Sequence, residues 1–315
     1  MIKKRILILG ASGYVGRQLV KALATSEWAM PLVTHHYHTP PSGCESVGKV
    51  DATDSAQLFE AMRGVDAVVN AVAGTSNVIR ANARALYEAA ARQPQPPRVV
   101  YLSSMAVYGA ASGVVDESSS LTQNAGGYAG AKVEAERIAR GYPRAVILRP
   151  GCIYGRGSRQ WSERIARWLL AGRIGDLGSR GAGFCNLVHI DDLVAALLNA
   201  LRQPDIEGEC FNIVMPGSLT WNEYFLWLAQ FHNALPVRRI SEKRLLFEGS
   251  VLAPALKAAQ LVARLLGADS AAVPEPMPPS LLRLFSQNIR LDGRKSEDRL
   301  GLHFTPLMTG LRTLK

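Results

Sequence analysis

An apolar run, Ile6-Leu7-Ile8-Leu9, passes directly into Gly10-Ala11-Ser12-Gly13-Tyr14-Val15-Gly16, three glycines at intervals of three. Such a junction suits a buried strand that turns sharply into a helix. Gly10 supplies the turn, Gly13 leaves room for backbone N–H groups to approach an anion, and Gly16 lets the helix lie close on the strand. A helix N-terminus carries partial positive charge, so the unit is predicted to hold the pyrophosphate of a dinucleotide, with Ser12, Tyr14 and Val15 completing the turn. A chain built around it is expected to be α/β, a Rossmann-type doubly wound parallel sheet.

The first half alternates strand and helix, as a parallel sheet with helices on both faces requires. Predicted strands cover Ile6–Leu9, Ala29–Thr34, a short stretch before Asp51, the run from Ala67 leading into Ala71-Val72-Ala73-Gly74, Arg98–Leu102 and Ala145–Leu148. Pro31 weakens the second of these, since proline brings no N–H to a ladder. Helices are predicted over Tyr14–Ala24, around Asn82–Arg92 and from about Tyr128. After Pro150 the pattern is less regular.

Tyr128 and Lys132 are four apart in Tyr128-Ala129-Gly130-Ala131-Lys132, which on a helix puts both side chains on one face. A phenol is a poor acid or base near neutrality, with an ordinary pKa of about 10. A neighbouring ammonium, helped by the positive charge of an oxidised nicotinamide, is expected to lower it. Upstream, Arg98–Leu102 ends in Ser103-Ser104, a hydroxyl at the carboxyl end of a strand, where open α/β sheets bind ligands.

Taken in order, Gly10-x-x-Gly13-x-x-Gly16, Ser104-Met105-Ala106-Val107-Tyr108-Gly109 and Tyr128-x-x-x-Lys132 resemble the extended short-chain dehydrogenase/reductase family, which includes nucleotide-sugar epimerases and dehydratases. The likeness continues through Arg149-Pro150-Gly151-Cys152-Ile153-Tyr154-Gly155, Val188-His189-Ile190-Asp191-Asp192, Phe211-Asn212-Ile213, Leu219-Thr220-Trp221-Asn222-Glu223 and Leu300-Gly301-Leu302-His303-Phe304-Thr305-Pro306. It implies Ser104, Tyr128 and Lys132 as catalytic residues, with Asn82 supporting the catalytic helix. It also implies that Asp51 and Ala52 lie near the adenine, that Ala71, Val72 and Ala73 lie beside the cofactor, and that Pro150 and Ile153 contact it with Tyr128 and Lys132. The dinucleotide domain is then expected over 1–150 and 187–215. A smaller, mainly helical substrate lobe is expected over 151–186 and 216–315.

At 315 residues, 48% hydrophobic and 20% charged, the chain can bury a full α/β core. Met1-Ile2-Lys3-Lys4 leads into a strand rather than a signal segment, and no uninterrupted apolar stretch reaches the roughly 20 residues that span a bilayer. No integral membrane segment is expected. Cys44, Cys152, Cys185 and Cys210 are scattered, which suits reduced thiols in a cytoplasm. The net charge of +10 is spread along the chain, so an attractive field for an anionic cofactor or substrate is expected rather than nucleic-acid binding. The segment Val251–Gly267 is apolar at helical period, with Lys257 and Arg264 its only charges, and is read as a lid or homodimer helix in preference to a membrane-surface helix. No metal is expected at His35-His36-Tyr37-His38.

Cofactor choice is read from the end of the second strand. An acidic side chain there holds the ribose hydroxyls of NAD, whereas Val33-Thr34-His35-His36 offers none, and either histidine could face a phosphate. NADP is therefore expected ahead of NAD. Family dehydratases carry Thr-Asp-Glu where this chain has Ser104-Met105-Ala106, which disfavours dehydration. Nucleotide-sugar enzymes of the family place an arginine just before the Val-His segment, where this chain has Cys185, leaving Arg180 or Arg173 to reach a diphosphate. The expected substrate is a small molecule, less polar or smaller than a nucleotide sugar, contacted by Ser104, Met105, Ala106, Tyr128, Arg180 and Cys185. Net hydride transfer between nicotinamide and a secondary alcohol or ketone is the first reading. A nucleotide-sugar epimerase with tightly bound NAD is the second, and a non-catalytic NAD(P)-binding regulator the third.

Overall fold

The computed structural model describes residues 3–35, 44–123, 126–267 and 273–314. Its first elements are β1 (Lys4–Leu9), α1 (Tyr14–Ala24), β2 (Ala29–His35), β3 (Glu45–Lys49), α2 (Ser55–Ala61), β4 (Ala67–Asn70), α3 (Ser76–Ala91), β5 (Arg98–Leu102), β6 (Gly113–Val115), α4 (Gly127–Arg140) and β7 (Ala145–Pro150). There follow β8 (Cys152–Tyr154), α5 (Arg164–Leu170), β9 (Leu187–His189), α6 (Ile190–Arg202), β10 (Cys210–Ile213) and α7 (Trp221–Phe231). The last are α8 (Glu242–Phe247), α9 (Ala253–Leu265), α10 (Pro279–Phe285), β11 (Ile289–Leu291), α11 (Arg294–Leu300) and α12 (Leu307–Arg312).

Seven strands form one parallel sheet in the order β10-β7-β5-β4-β1-β2-β3. The chain builds outward from β1 to β3, then returns to lay β4 on the other side of β1. That reversal opens a crevice at the carboxyl ends of β1 and β4, the usual ligand position in such sheets.

Alternation along β1 divides the core. Ile6 and Ile8 pack with Leu19, Val20 and Leu23 of α1 and Leu193 and Leu197 of α6, while Leu7 and Leu9 pack with Leu58 of α2, Ile79 and Leu86 of α3 and Ala131 and Ala135 of α4. A strand stretch buried on both faces must be apolar, as Ile6–Leu9 of β1 and Ala67–Val69 of β4 are. Pro31 is tolerated inside β2 because β3 begins to pair only at Leu32; at Pro31 the strand is paired with β1 alone.

A third core gathers Trp168, Trp221, Tyr224, Phe225 and Phe285 with Met105, Tyr108 and Val115. Two small parallel pairs bind it to the main sheet, β8 with β9 and β11 with β6. None of these three-residue strands has enough sequence to show a period. Thr220 and Glu223 start α7 with reciprocal side-chain-to-backbone bonds, the capping that Thr220-Trp221-Asn222-Glu223 encodes.

Candidate active site

The turn after β1 is shaped by close backbone contacts. Gly10 has a φ of +83°, and a Cβ there would stand 2.6 Å from the Ala71 carbonyl oxygen, so the loops after β1 and β4 touch at the crevice. A Cβ on Gly16 would meet the Gly10 oxygen at 2.2 Å, which is why α1 lies so close on the turn. Beside Gly13 a Cβ would meet only the Gly10 oxygen, at 3.2 Å, leaving the crevice side open. Gly13 starts α1 without a side-chain cap and the first turn holds no acidic residue, so its N–H groups stay available to an anion. These residues fit a dinucleotide pyrophosphate.

Asn70 and Asn82 brace the floor. The Asn70 amide donates to the Asn82 side-chain oxygen at 2.7 Å, and the Asn82 amide donates to the Ala52 carbonyl at 2.8 Å. Asn82 thus ties α3 to β4 and to the loop after β3. Asp51 caps its own loop, accepting from the Thr53 N–H and hydroxyl. Pro150 and Ile153 lie on β7 and β8 on the far side of β5.

Ser104, Tyr128 and Lys132 converge at the end of β5. Ser104 starts the short helical turn Met105–Tyr108, accepting from the Ala106 N–H at 3.2 Å, and its hydroxyl lies close enough to the Tyr128 phenol to act on its acidity. Tyr128 is 47% exposed, the access that a reacting group needs. Lys132 is buried one turn further along α4, donates to the Leu102 carbonyl at 2.7 Å, and stands 5.9 Å from the centre of the Tyr128 ring.

Burial dominates the electrostatics of this pair within the chain itself. Burial raises the Tyr128 phenol above its ordinary value, with the neighbouring Ser104 hydroxyl pulling the other way. Lys132 donates its hydrogen bond to the Leu102 carbonyl rather than to the phenol, and burial lowers its own pKa to about 8 against the opposing charge of Glu136. Helical spacing put the two side chains on one face; it could not reveal how deep the lysine lies.

Beneath this trio runs a buried polar network that the sequence reading missed. The Ser103 hydroxyl donates to Glu136 at 2.5 Å, and Glu136 takes a forked bond from Arg149, closest at 2.6 Å. Arg149 also donates to the Tyr108 hydroxyl at 2.8 Å, which in turn donates to Asn212 at 2.7 Å. Tyr108, Arg149 and Asn212 each belong to a different segment that carries the family resemblance. Those short segments meet in one place.

The substrate-side residues fare differently. Met105 is buried and Ala106 half-buried in the turn after Ser104. Cys185 is a correction: it is buried in the aromatic core of the lobe, its backbone N–H held by Leu219, and burial pushes its thiol well up. It has no face to offer a ligand. Arg180 and Arg173, the substitutes considered for a diphosphate, are paired with Glu242 and Glu248 respectively. Arg180 lines an apolar cavity of about 150 Å³ with Leu177, Leu245, Leu246 and Leu282, apart from the Ser104–Tyr128 pair. His35 ends β2, while His36 and the rest of the histidine run lie outside the described residues.

The chain is similar in sequence and in fold to known proteins. Over 266 residues the chain is 27% identical to a ceramide reductase of Caulobacter vibrioides, covering 78% of this chain and 77% of that protein. It is 27% identical over 230 residues to a 3β-hydroxysteroid-dehydrogenase/decarboxylase of Arabidopsis thaliana, covering 68% of this chain and 52% of that longer one. Among solved structures, the UDP-glucuronic acid 4-epimerase of Bacillus cereus, in complex with UDP-glucuronic acid and NAD, shares its fold at a TM-score of 0.71 with 19% identity, covering 98% of this chain and 97% of that one. Residues 6–213, with the glycine turn and the Ser104, Tyr128 and Lys132 positions among them, match the profile of one family, and the chain belongs to the NAD dependent epimerase/dehydratase family.

Proposed function

We propose that this chain is an NAD(P)-dependent oxidoreductase that interconverts a secondary alcohol and a ketone on a small molecule less polar than a nucleotide sugar. The observation that carries the reading is the convergence of the Ser104 and Tyr128 hydroxyls over the buried Lys132 ammonium, at the mouth of a crevice with an uncapped helix N-terminus. When bound, the dinucleotide supplies or accepts the hydride and, oxidised, brings a positive charge to the site.

The chain's own part is to hold the substrate oxygen and move its proton. Ser104 hydrogen-bonds that oxygen as charge develops on it. Tyr128 gives the proton to a forming alkoxide, or removes it from an alcohol, at its phenol oxygen. Lys132 holds the ribose hydroxyls beside the nicotinamide and sets a positive charge under the phenol. Glycines 10, 13 and 16 cradle the pyrophosphate, and Asn82 keeps the loops after β3 and β4 in place around it.

The absence of an arginine at Cys185, and the pairing of Arg173 and Arg180 with glutamates, supports a substrate without a nucleoside diphosphate. The solved relative with UDP-glucuronic acid keeps epimerisation with retained NAD as the second reading. Purified protein with reduced cofactor and a panel of ketones is expected to show net oxidation of the cofactor. Micromolar binding of UDP, GDP or TDP by calorimetry, without net cofactor turnover, would reverse the ranking. The end of β2 at Thr34 and His35 carries no carboxylate, which supports NADP over NAD. Fluorescence titration with both reduced cofactors tests this: tenfold tighter NADH binding would overturn it.

A further inference from the structure

A continuous helical rod, α8, a wider turn over Glu248–Leu252 and α9, runs along the outside of the substrate lobe. By length and composition alone Glu242–Leu265 could cross a bilayer, its most apolar 18-residue stretch having a mean hydropathy of 1.3. Glu248 and Lys257 interrupt its apolar run, so a search for unbroken apolar sequence passes over it.

Its two faces differ. Along α9, Ala253, Leu256, Gln260 and Ala263 follow helical spacing and are buried or half-buried against the lobe. The opposite line, Pro254, Ala258, Leu261, Val262 and Leu265, is exposed, and Leu265 and Leu266 are 78% and 77% accessible. Phe247 and Val251 extend the exposed apolar surface toward α8. Leucines left this open at helical spacing mark a surface that meets something.

Charge identifies the partner. From Leu235 to Leu266 the chain has six basic residues and two acidic ones. Both acids are neutralised from other elements, Glu242 by Arg180 and Glu248 by Arg173. Lys243, Arg244, Lys257 and Arg264 form no salt bridge among the described residues and are all exposed. Lys257 and Arg264, seven residues apart, lie along one flank of the exposed leucine line, as on helices that rest in a membrane interface. A two-fold contact through the same face would bring these flanks together in a chain of net charge +10. A lid would turn its leucines toward the cleft, whereas here they point away from the lobe.

We propose that the outer face of α9 docks the protein on the surface of an anionic phospholipid bilayer. The helix lies on the membrane rather than through it: Leu245 and Ala253 are buried in the lobe and Glu248 keeps a buried pair with Arg173, so spanning would tear this underside open. The docking is independent of which substrate is reduced.

The test is flotation of the full chain with vesicles of phosphatidylcholine alone or mixed with phosphatidylglycerol. Wild type is expected to float with the anionic vesicles and to be released by salt. Leu261→Ser/Leu265→Ser and Lys257→Glu/Arg264→Glu, both at exposed positions, are each expected to weaken binding by about tenfold or more. Their unfolding transitions and dinucleotide binding are expected to match wild type, which separates lost docking from lost folding or lost activity. Failure of wild type to float above the neutral-vesicle level overturns the proposal, as does equal flotation of both variants. A dimer by light scattering that Leu261→Ser/Leu265→Ser abolishes, without vesicle binding, assigns the face to a second copy instead.

Discussion

Glu136 and Arg149 meet in a forked ion pair from which solvent is wholly excluded, both side chains at 0% exposure and the shortest contact at 2.6 Å. Glu136 sits one helical turn beyond Lys132, and Arg149 immediately precedes Pro150 at the end of β7. Removing one partner strands the other charge in the core. Glu136→Gln or Arg149→Met is therefore expected to cost about 3–5 kcal/mol in urea unfolding, far more than the double replacement by apolar residues of similar volume. A loss below about 1 kcal/mol in either single variant would show that water reaches the pair.

Tyr128→Phe removes the phenol and keeps the ring. Turnover is expected to fall by a factor of about 10² to 10⁴, with dinucleotide affinity nearly unchanged. Near-normal turnover would transfer the proton step to another group.

Gly16→Ala places a methyl group where only 2.2 Å separates it from the Gly10 carbonyl. The backbone must shift, so a stability loss of about 1–3 kcal/mol is expected together with weaker dinucleotide binding. Calorimetric binding and thermal unfolding read the two effects separately. Unchanged affinity would mean that the turn is not the pyrophosphate site.

Lys132 gives a pH signature with a definite sign. Burial lowers it from 10.5 to about 8, so between these values the folded chain has released a proton that the unfolded chain keeps. Stability from this group is therefore lowest below pH 8 and rises through that window, by about 3 kcal/mol in total. Wild type is expected to gain on Lys132→Met as pH rises across the window. A constant difference between the two in urea titrations would refute the burial of a charged amine.

Local chemistry made much of the site legible. The strand-to-helix glycine turn, the hydroxyl at the end of β5 and the Tyr128–Lys132 spacing are each confined to a few residues, and each stands where those residues imply. What stayed hidden depends on distant partners. Glu136 carries no mark until Arg149, Tyr108 and Asn212 are folded around it, and Cys185 looks like a cleft residue until the lobe core closes over it. Strands β6, β8, β9 and β11 are too short for periodicity and owe their existence to the strand beside them. Helical period revealed the apolar outer line of α9 but not which side faces the lobe.

The pairing of β6 with β11 also orders events during synthesis. Gly113–Val115 emerges well before its partner Ile289–Leu291, and Asn186 waits for the same strand to satisfy both ends of its amide. The sheet with its glycine turn can close once β10 has left the ribosome, while the lobe around the aromatic core stays open until β11 follows. A nascent chain halted just short of Ile289 would hold a finished dinucleotide crevice facing an unfinished, aromatic-rich surface, the stage at which this protein most needs protection from its neighbours.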